Sequence, residues 1–195
     1  MQILLTLFVL LFSSSVFAED ISDFQIEEVS IGDSLLDYFT EEEINKNTGY
    51  IYEEYGNLGK EIASFGTKKN LNKFDMVEFE FKTGNNIYEV ASIKAYIYFE
   101  ENIKECIKIQ KQIFNDIKNL FPNKEYFEDG PFNHQGYPND DVIILKRIGF
   151  FLDPNKRSNI DIICFDISEK INKTDRLSIT IRSDEYNDWL FELYK

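Results

Sequence analysis

Apolar and charged residues alternate most clearly after Phe74, and this alternation predicts a β-hairpin. In MVEFEFK (76–82) apolar side chains alternate with Glu and Lys, the period of two that is typical of a half-buried strand. TGNN (83–86) follows with Gly and Asn, which tolerate the positive φ of a tight turn. IYEVASIKAYIYF (87–99) continues as a longer strand, so residues 76–99 are predicted to form a hairpin.

An amphipathic helix is predicted next, over residues 101–121. At 100° per residue, the apolar side chains of ENIKECIKIQKQIFNDIKNLF fall within an arc of ~160°, and Lys and Asp occupy the other side. Pro122 ends the helix because proline cannot continue it. Cys106 lies on the apolar face, so it is expected to point at the layer that the helix covers.

Three more strands and a helix are predicted in the last third of the chain. DVIILKRIGFFLD (141–153) and NIDIICFDIS (159–168) indicate a second hairpin, and RLSITIRS (176–183) alternates like another strand. The terminal DEYNDWLFELYK (184–195) is predicted to be a helix capped by Ser183 or Asp184. Its Trp189, Leu190 and Leu193 are expected to pack inward.

The remaining segments give weaker patterns. EDISDFQIEEVS (19–30) is expected to be a loose or edge segment, and DSLLDYF (33–39) a short helix. Thr40 and Glu43 have the spacing of a capping box, which predicts a second short helix. GYIYEEYG (49–56) is a candidate strand. NLGKEIASFGTKKNLNKF (57–74) is expected to be irregular, and NKEYFEDGPFNHQGYPNDD (123–141) to be a long polar connection.

This order of elements predicts an α+β fold. Neighbouring strands joined by short polar turns favour an antiparallel sheet of about five strands, with the long amphipathic helix packed across one face. Short N-terminal helices and a C-terminal helix complete the prediction.

The first 18 residues are predicted to be a cleaved signal peptide. An uncharged apolar run (3–12) precedes Val16 and Ala18, the small residues typical of the −3 and −1 positions of a cleavage site. The run is shorter than the ~20 apolar residues that span a bilayer. We therefore expect export to the periplasm or the medium, and a single domain over residues 19–195.

An exported protein with two cysteines is expected to form a disulfide, here between Cys106 and Cys164. The bond would join the long helix to a central strand. The alternative is a pair of buried free thiols, which their apolar flanks also allow.

A formal net charge of −14 disfavours nucleic acids and anionic membrane surfaces as partners, because binding them depends on clustered Lys and Arg. We expect no membrane contact after cleavage. The residue types and spacings indicate no cofactor and no metal site.

Gly32-Asp33-Ser34-Leu35 spells the nucleophile motif of the GDSL esterases. In that family a His near the C-terminus follows an Asp by three residues, whereas the single His here, His134, lies mid-chain and follows Pro131. Without a base the Ser34 hydroxyl is not activated, so we interpret the motif as a helix start in which Asp33 or Ser34 is the cap.

The string SIGDSLLDYFTEEEI (30–44), after a cleavable segment, resembles an uncharacterised group of small exported proteins from marine bacteria. The similarity extends to the helix that bears Cys106 and to the stretch that bears Cys164. No activity is assigned to that group, so the resemblance implies an exported protein and no particular function.

Three functions remain open from the sequence. The first is an exported, soluble, non-enzymatic module that binds a small molecule or a protein partner. The second is a serine hydrolase that uses Ser34, and the third is an acidic inhibitor of a cationic enzyme. An enclosed apolar pocket beneath the long helix would favour a small-molecule ligand over a protein partner.

Overall fold

A computed structural model of the chain describes residues 21–100, 102–134, 141–152, 157–171 and 174–195. The predicted signal peptide lies outside these ranges. No helix within them is long and apolar enough to cross a membrane.

The fold is built on one large antiparallel sheet of nine strands, in the order β3-β4-β5-β6-β11-β10-β9-β7, with β8 also paired to β9. A separate two-stranded hairpin, β1-β2, precedes it. The strands are β1 (Gln25–Ile26), β2 (Val29–Ser30), β3 (Thr48–Gly49), β4 (Ile62–Thr67), β5 (Met76–Lys82), β6 (Val90–Phe99), β7 (Glu125–Asp129), β8 (Phe132–Asn133), β9 (Val142–Phe151), β10 (Asn159–Ile167) and β11 (Asp175–Arg182). The α+β prediction is confirmed, and the expected size of about five strands is wrong.

The two predicted hairpins and the strand over 176–183 are present as β5-β6, β9-β10 and β11. The additional strands lie at the two edges of the sheet. β4 occupies the segment expected to be irregular, and β7 and β8 occupy part of the expected polar connection. β7 (EYFED) is a short, charged edge strand, so its apolar pattern is weak. β4 (IASFGT) does not alternate because it is covered on both faces, with Ala63 and Phe65 in the main apolar cluster and Ile62 in the second.

Within the described ranges the α-helices are α1 (Glu41–Lys46), α2 (Gly56–Gly59), α3 (Ile103–Leu120) and α4 (Asp184–Leu193). The predicted capping box opens α1, since the Thr40 side chain accepts from the Glu43 N–H and the Glu43 carboxylate accepts from the Thr40 N–H. Residues 35–37 form a single 3₁₀ turn where a short helix was expected. The candidate strand over 49–56 is wrong, because residues 53–55 form another 3₁₀ turn.

The N-terminal segment is part of the core, so the expectation of a loose segment is wrong. Phe24, Ile26 and Val29 are almost fully buried in the main cluster of apolar side chains. The hairpin turns at Glu27 and Glu28, both at positive φ. The Glu27 carboxylate accepts hydrogen bonds from the backbone of residues 72 and 73, which ties the turn to the β4–β5 connection.

Helix α3 packs across one face of the sheet, as predicted. Cys106 on α3 forms a disulfide with Cys164 on β10, with 6.0 Å between the Cα atoms. One turn further along, the buried Gln110 donates to the backbone carbonyls of Lys146 at 2.9 Å and of Ile162 at 2.8 Å. The Lys146 carbonyl adjoins a bulge in β9, where the pairing with β10 shifts by one residue. Gln110 thus bonds a part of the sheet in which the regular ladder is interrupted.

Helix α4 packs on the opposite face of the sheet. Ser183 caps it by accepting from the Tyr186 N–H at 3.1 Å, as the sequence predicted. Trp189 and Leu193 are buried in a second apolar cluster, and Leu190 packs against it, so the predicted inward face is confirmed. The Trp189 ring N–H donates to the carbonyl of Leu58, which fixes α4 to the segment that contains α2.

Candidate functional site

Ser34 is engaged as a helix cap. Its hydroxyl donates to the Ile87 carbonyl at 2.7 Å and accepts from the Leu36 N–H at 3.2 Å. The neighbouring Asp33 carboxylate accepts from the Ser30 N–H at 2.8 Å and from the Tyr38 hydroxyl at 2.7 Å. These hydrogen bonds show that the GDSL segment has a structural role at the start of the 3₁₀ turn.

Ser34 and His134 lie at opposite ends of the sheet. The backbone of Ser34 pairs with that of Glu89, the residue before β6. The strand register places the start of β6 at the same end of the sheet as the end of β9. The backbone of His134 instead donates to Val142, at the beginning of β9. Because β9 is ten residues long, this separates the two by roughly 30 Å along the strands. A general base must be within hydrogen-bond reach of its nucleophile, so His134 cannot activate Ser34.

The layer between α3 and the sheet is filled by side chains. Cys106, Ile113, Ile117 and Phe121 are buried there among strand residues. Four cavities of the described part of the chain lie elsewhere, and none of these four is lined by a residue of α3. None of the four is the enclosed pocket that the sequence left open beneath this helix.

The largest of these four cavities, of about 780 Å³, is an open depression at the end of the sheet where β6 and β10 stop. It is acidic, with Glu100, Asp166, Glu169 and Asp175 in its lining. Burial raises the pKa of Asp166, and the charge of Asp175 adds to this effect. Within the described ranges, no group of three or more His, Cys, Asp and Glu side chains is placed to hold a metal ion.

Buried ion pairs line the face of the sheet towards α4. Asp161 is 1% exposed and accepts from Arg147 Nε at 3.1 Å and from Arg182 Nη1 at 2.7 Å. Glu80 is fully buried and accepts from Lys94 Nζ at 2.6 Å. Each carboxylate is neutralised by a neighbouring cation and shielded from solvent, so neither is available to a substrate. These ion pairs belong to the face of the sheet on which α4 packs.

A stack of aromatic and cationic side chains continues along the same face. The ring of Tyr96 lies parallel to that of Tyr98 at 6.4 Å, and the Arg176 guanidinium lies 5.3 Å from the Tyr96 centroid. Arg176 also lies 5.1 Å from the ring of Phe165. Tyr96 thus has an aromatic and a cationic neighbour within the chain.

Five exposed apolar residues belong to the end of the chain around α4 and to the segment before α2. Tyr50, Ile51, Tyr55, Phe191 and Tyr194 have exposed fractions between 41% and 61%. We call these five residues the aromatic patch. Two ring contacts join its halves, because Tyr194 lies 5.6 Å from Tyr55 and 6.3 Å from the partly buried Tyr52. Contiguous exposed apolar surface is typical of a binding site, and tyrosine is enriched at such sites.

Charged side chains border the aromatic patch and are largely paired. The ion pairs are Lys60–Glu53, Arg157–Asp188 and Lys195–Glu192. Burial against its neighbours raises the pKa of Tyr194 to about 12, with smaller effects from Tyr52, Tyr55 and Glu54. The phenol is therefore neutral at physiological pH and presents an apolar ring with a hydroxyl donor.

The sequence analysis did not identify this patch. GYIYEEYG was interpreted as a strand, and WLFELYK only as a helix with an inward face. The signal present in both segments is a high density of aromatic residues, three in each stretch. Aromatic residues beyond those needed for an inward face would have marked these segments as surface sites.

Comparisons with family models, with curated proteins and with solved structures yield no match to this chain.

Proposed function

We propose that this chain is an exported, non-enzymatic binding module that docks a protein partner through the aromatic patch. The observation that carries the proposal is the contact between the exposed rings of Tyr55 and Tyr194, with Tyr52 beside them, which joins residues 50–55 to the end of α4. Tyrosine and phenylalanine bury a large apolar area on binding and lose little side-chain entropy, which favours a contact of this kind.

A protein partner is a better proposal than a small molecule for two reasons. The space beneath α3 is filled, and the four prominent cavities are open depressions. Small ligands bind in concave sites that bury most of their surface, whereas protein interfaces are flatter and are anchored by exposed aromatic residues.

The net charge of −14 favours a basic partner. Opposite charge accelerates encounter over distances beyond the contact itself, and aromatic residues then provide the short-range contact. An inhibitor of a cationic enzyme is the more specific form of this proposal. It predicts that the partner loses activity on binding.

Site-directed photo-crosslinking tests the proposal. A photoreactive phenylalanine analogue replaces Tyr194 in one preparation and Tyr126, an exposed tyrosine on the distant strand β7, in another. Both are incubated with an envelope extract of the source cells at low and at high salt. We expect one dominant adduct from position 194, absent from position 126, which weakens at high salt and is lost when Tyr55→Ala is added.

Equal adducts from the two positions would show that the contact is non-specific. An adduct at position 194 that persists with Tyr55→Ala would place the partner outside the aromatic patch. Either result contradicts the proposal.

A further inference from the structure

We propose that an open cavity beside α1 binds an uncharged saccharide chain that carries N-acetyl groups. The cavity, here called the α1 cavity, lies between α1 and the turn at residues 83–86 that joins β5 to β6. This inference goes beyond the proposed function, because it gives the protein a second ligand at a site that shares only Tyr50 with the aromatic patch.

The α1 cavity has the size of a ligand site. Its volume is about 530 Å³, and ligand sites typically measure ~300–1,000 Å³. Among its lining residues, Ala63 on β4 and Phe81 on β5 are buried and belong to the main apolar cluster. The cavity is open to solvent. An open site suits a chain-like ligand, because the chain continues past the part that is bound.

The charges of the α1 cavity disfavour an anionic ligand. Among the described residues that line it, only Glu41 and Lys82 are charged. The Lys82 ammonium already pairs with the carboxylate of Glu89, at 2.8 Å, and with that of Glu185. The lining therefore presents one carboxylate, which accepts hydrogen bonds, and no unpaired cation. A ligand with hydroxyl or amide donors and no negative charge fits this lining best.

The polar side chains of the lining match the groups of an N-acetylated sugar. Asn45 on α1 and Asn85 and Asn86 in the turn carry amides, and each amide has a donor and an acceptor. An acetamido group presents the complementary acceptor and donor. The hydroxyls of Thr48 and Thr83 each donate to a backbone carbonyl at 2.7 Å, which leaves their lone pairs to accept from sugar hydroxyls.

Two tyrosines supply apolar ring surface to the same cavity. Tyr50 is 47% exposed, and Tyr88 is half-buried. An aromatic ring buries the carbon–hydrogen face of a sugar ring, while the hydroxyls at the sugar's edge reach polar side chains. Tyrosine rings beside amides and a carboxylate thus serve both parts of a saccharide.

Tyr88 is held in place before binding. Its φ of 50° is a conformation that bulky residues rarely adopt. The Leu35 N–H donates to its carbonyl at 3.3 Å, its hydroxyl donates to Glu41 at 3.0 Å, and its ring packs edge-on against Phe81 at 5.3 Å. Residues fixed in such conformations by their surroundings are common at ligand sites, and a fixed wall loses little entropy on binding.

An NMR titration of the protein tests the inference. The probe is triacetylchitotriose, a β-1,4-linked trimer of N-acetylglucosamine. The control is cellotriose, which has the same linkage and a hydroxyl in place of each acetamido group. We expect saturable shifts of the ring protons of Tyr50 and Tyr88 and of the side-chain amide of Asn86 with triacetylchitotriose. Cellotriose should bind at least about five-fold more weakly, because it lacks the acetamido hydrogen bonds.

Variants at exposed positions connect the binding to the α1 cavity without disturbing the fold. Asn86→Ala and Tyr50→Ala should each weaken binding of triacetylchitotriose about two- to ten-fold, from lost hydrogen bonds in the first and lost ring contact in the second. Asn57→Ala and Tyr126→Ala replace exposed residues of the same types outside the cavity, and they should leave the affinity unchanged.

The absence of saturable binding of triacetylchitotriose would overturn the inference. Equal affinities for the two trisaccharides would do the same, as would equal losses in the cavity variants and their controls. The proposed function fails separately, because its crosslink from position 194 should persist when Asn86→Ala is added. If that crosslink forms and triacetylchitotriose does not bind, the docking surface stands and the saccharide site is wrong.

Discussion

Gln110 is a polar residue on the otherwise apolar buried face of α3, and its side-chain amide bonds two strand carbonyls. Gln110→Ala removes both donors and leaves the carbonyls of Lys146 and Ile162 buried without them. We expect the free energy of unfolding to fall by about 2–4 kcal/mol, from the lost hydrogen bonds and the space left behind. Urea denaturation measures the change.

Gln112 supplies the control, because it lies two residues away on the exposed side of the same helix. Gln112→Ala should change the free energy of unfolding by less than about 0.5 kcal/mol. If the free energy of unfolding falls by similar amounts in the two variants, the loss comes from helix propensity and not from the Gln110 hydrogen bonds beside the bulge in β9.

Ser34 is predicted to matter for stability and not for ester hydrolysis. Ser34→Ala removes the cap of the 3₁₀ turn and the hydrogen bond to the Ile87 carbonyl, which should reduce the free energy of unfolding by about 0.5–2 kcal/mol. Turnover of p-nitrophenyl acetate should equal the uncatalysed background for the wild type and the variant alike. Turnover in the wild type that vanishes in Ser34→Ala would restore the hydrolase hypothesis.

At the scale of elements, the disulfide attaches α3 to the centre of the sheet across 58 positions of sequence. Replacing both cysteines by alanine frees this loop in the unfolded chain. Loop-closure entropy predicts a loss of about 4 kcal/mol in the free energy of unfolding. Guanidinium denaturation of the wild type and of the Cys106→Ala/Cys164→Ala variant measures the difference.

Thiol titration is the control for this prediction. The native protein should show no reactive thiol under denaturing conditions and two after reduction. Two thiols without reduction would contradict the bond between α3 and β10 and favour the alternative of buried free cysteines.

Sequence patterns predicted the central elements well and the edges poorly. β5, β6, β9, β10 and β11 alternate because one face of each packs under α3, and α3 itself has a broad apolar stripe. β4 is buried on both faces and so does not alternate, whereas β7 lies at the exposed edge of the sheet. In β7, Glu125, Glu128 and Asp129 keep the edge charged, which discourages pairing with other chains. The same charged residues leave β7 without the apolar alternation from which a strand is predicted.

At the scale of the whole molecule, the candidate site depends on contacts that local sequence does not encode. Tyr52 and Tyr194 are 142 positions apart in the sequence, and the packing of Trp189 against Tyr52 and its hydrogen bond to Leu58 bring the two segments together. The sequence could predict that α4 has an inward face. It could not show which surface residues α4 would meet.

Net charge acts on the molecule as a whole and gives a kinetic prediction. The charge of −14 should accelerate association with a basic partner at low ionic strength. We expect the association rate constant to fall about ten-fold or more between 20 and 300 mM salt, with a smaller change in the dissociation rate. Stopped-flow or surface plasmon resonance measurements with the photo-crosslinked partner would show this. An association rate that is independent of salt would contradict a basic partner.

The most direct test of the docking surface is the affinity of that partner for two matched double variants, measured by isothermal titration calorimetry. Tyr55→Ala/Tyr194→Ala removes two rings of the aromatic patch, and Tyr126→Ala/Phe132→Ala removes two similarly exposed rings at the β7–β8 edge. We predict that the dissociation constant rises at least about ten-fold for the first variant and stays within about two-fold for the second. Equal weakening by both variants, or full affinity in the first, would contradict docking through the aromatic patch.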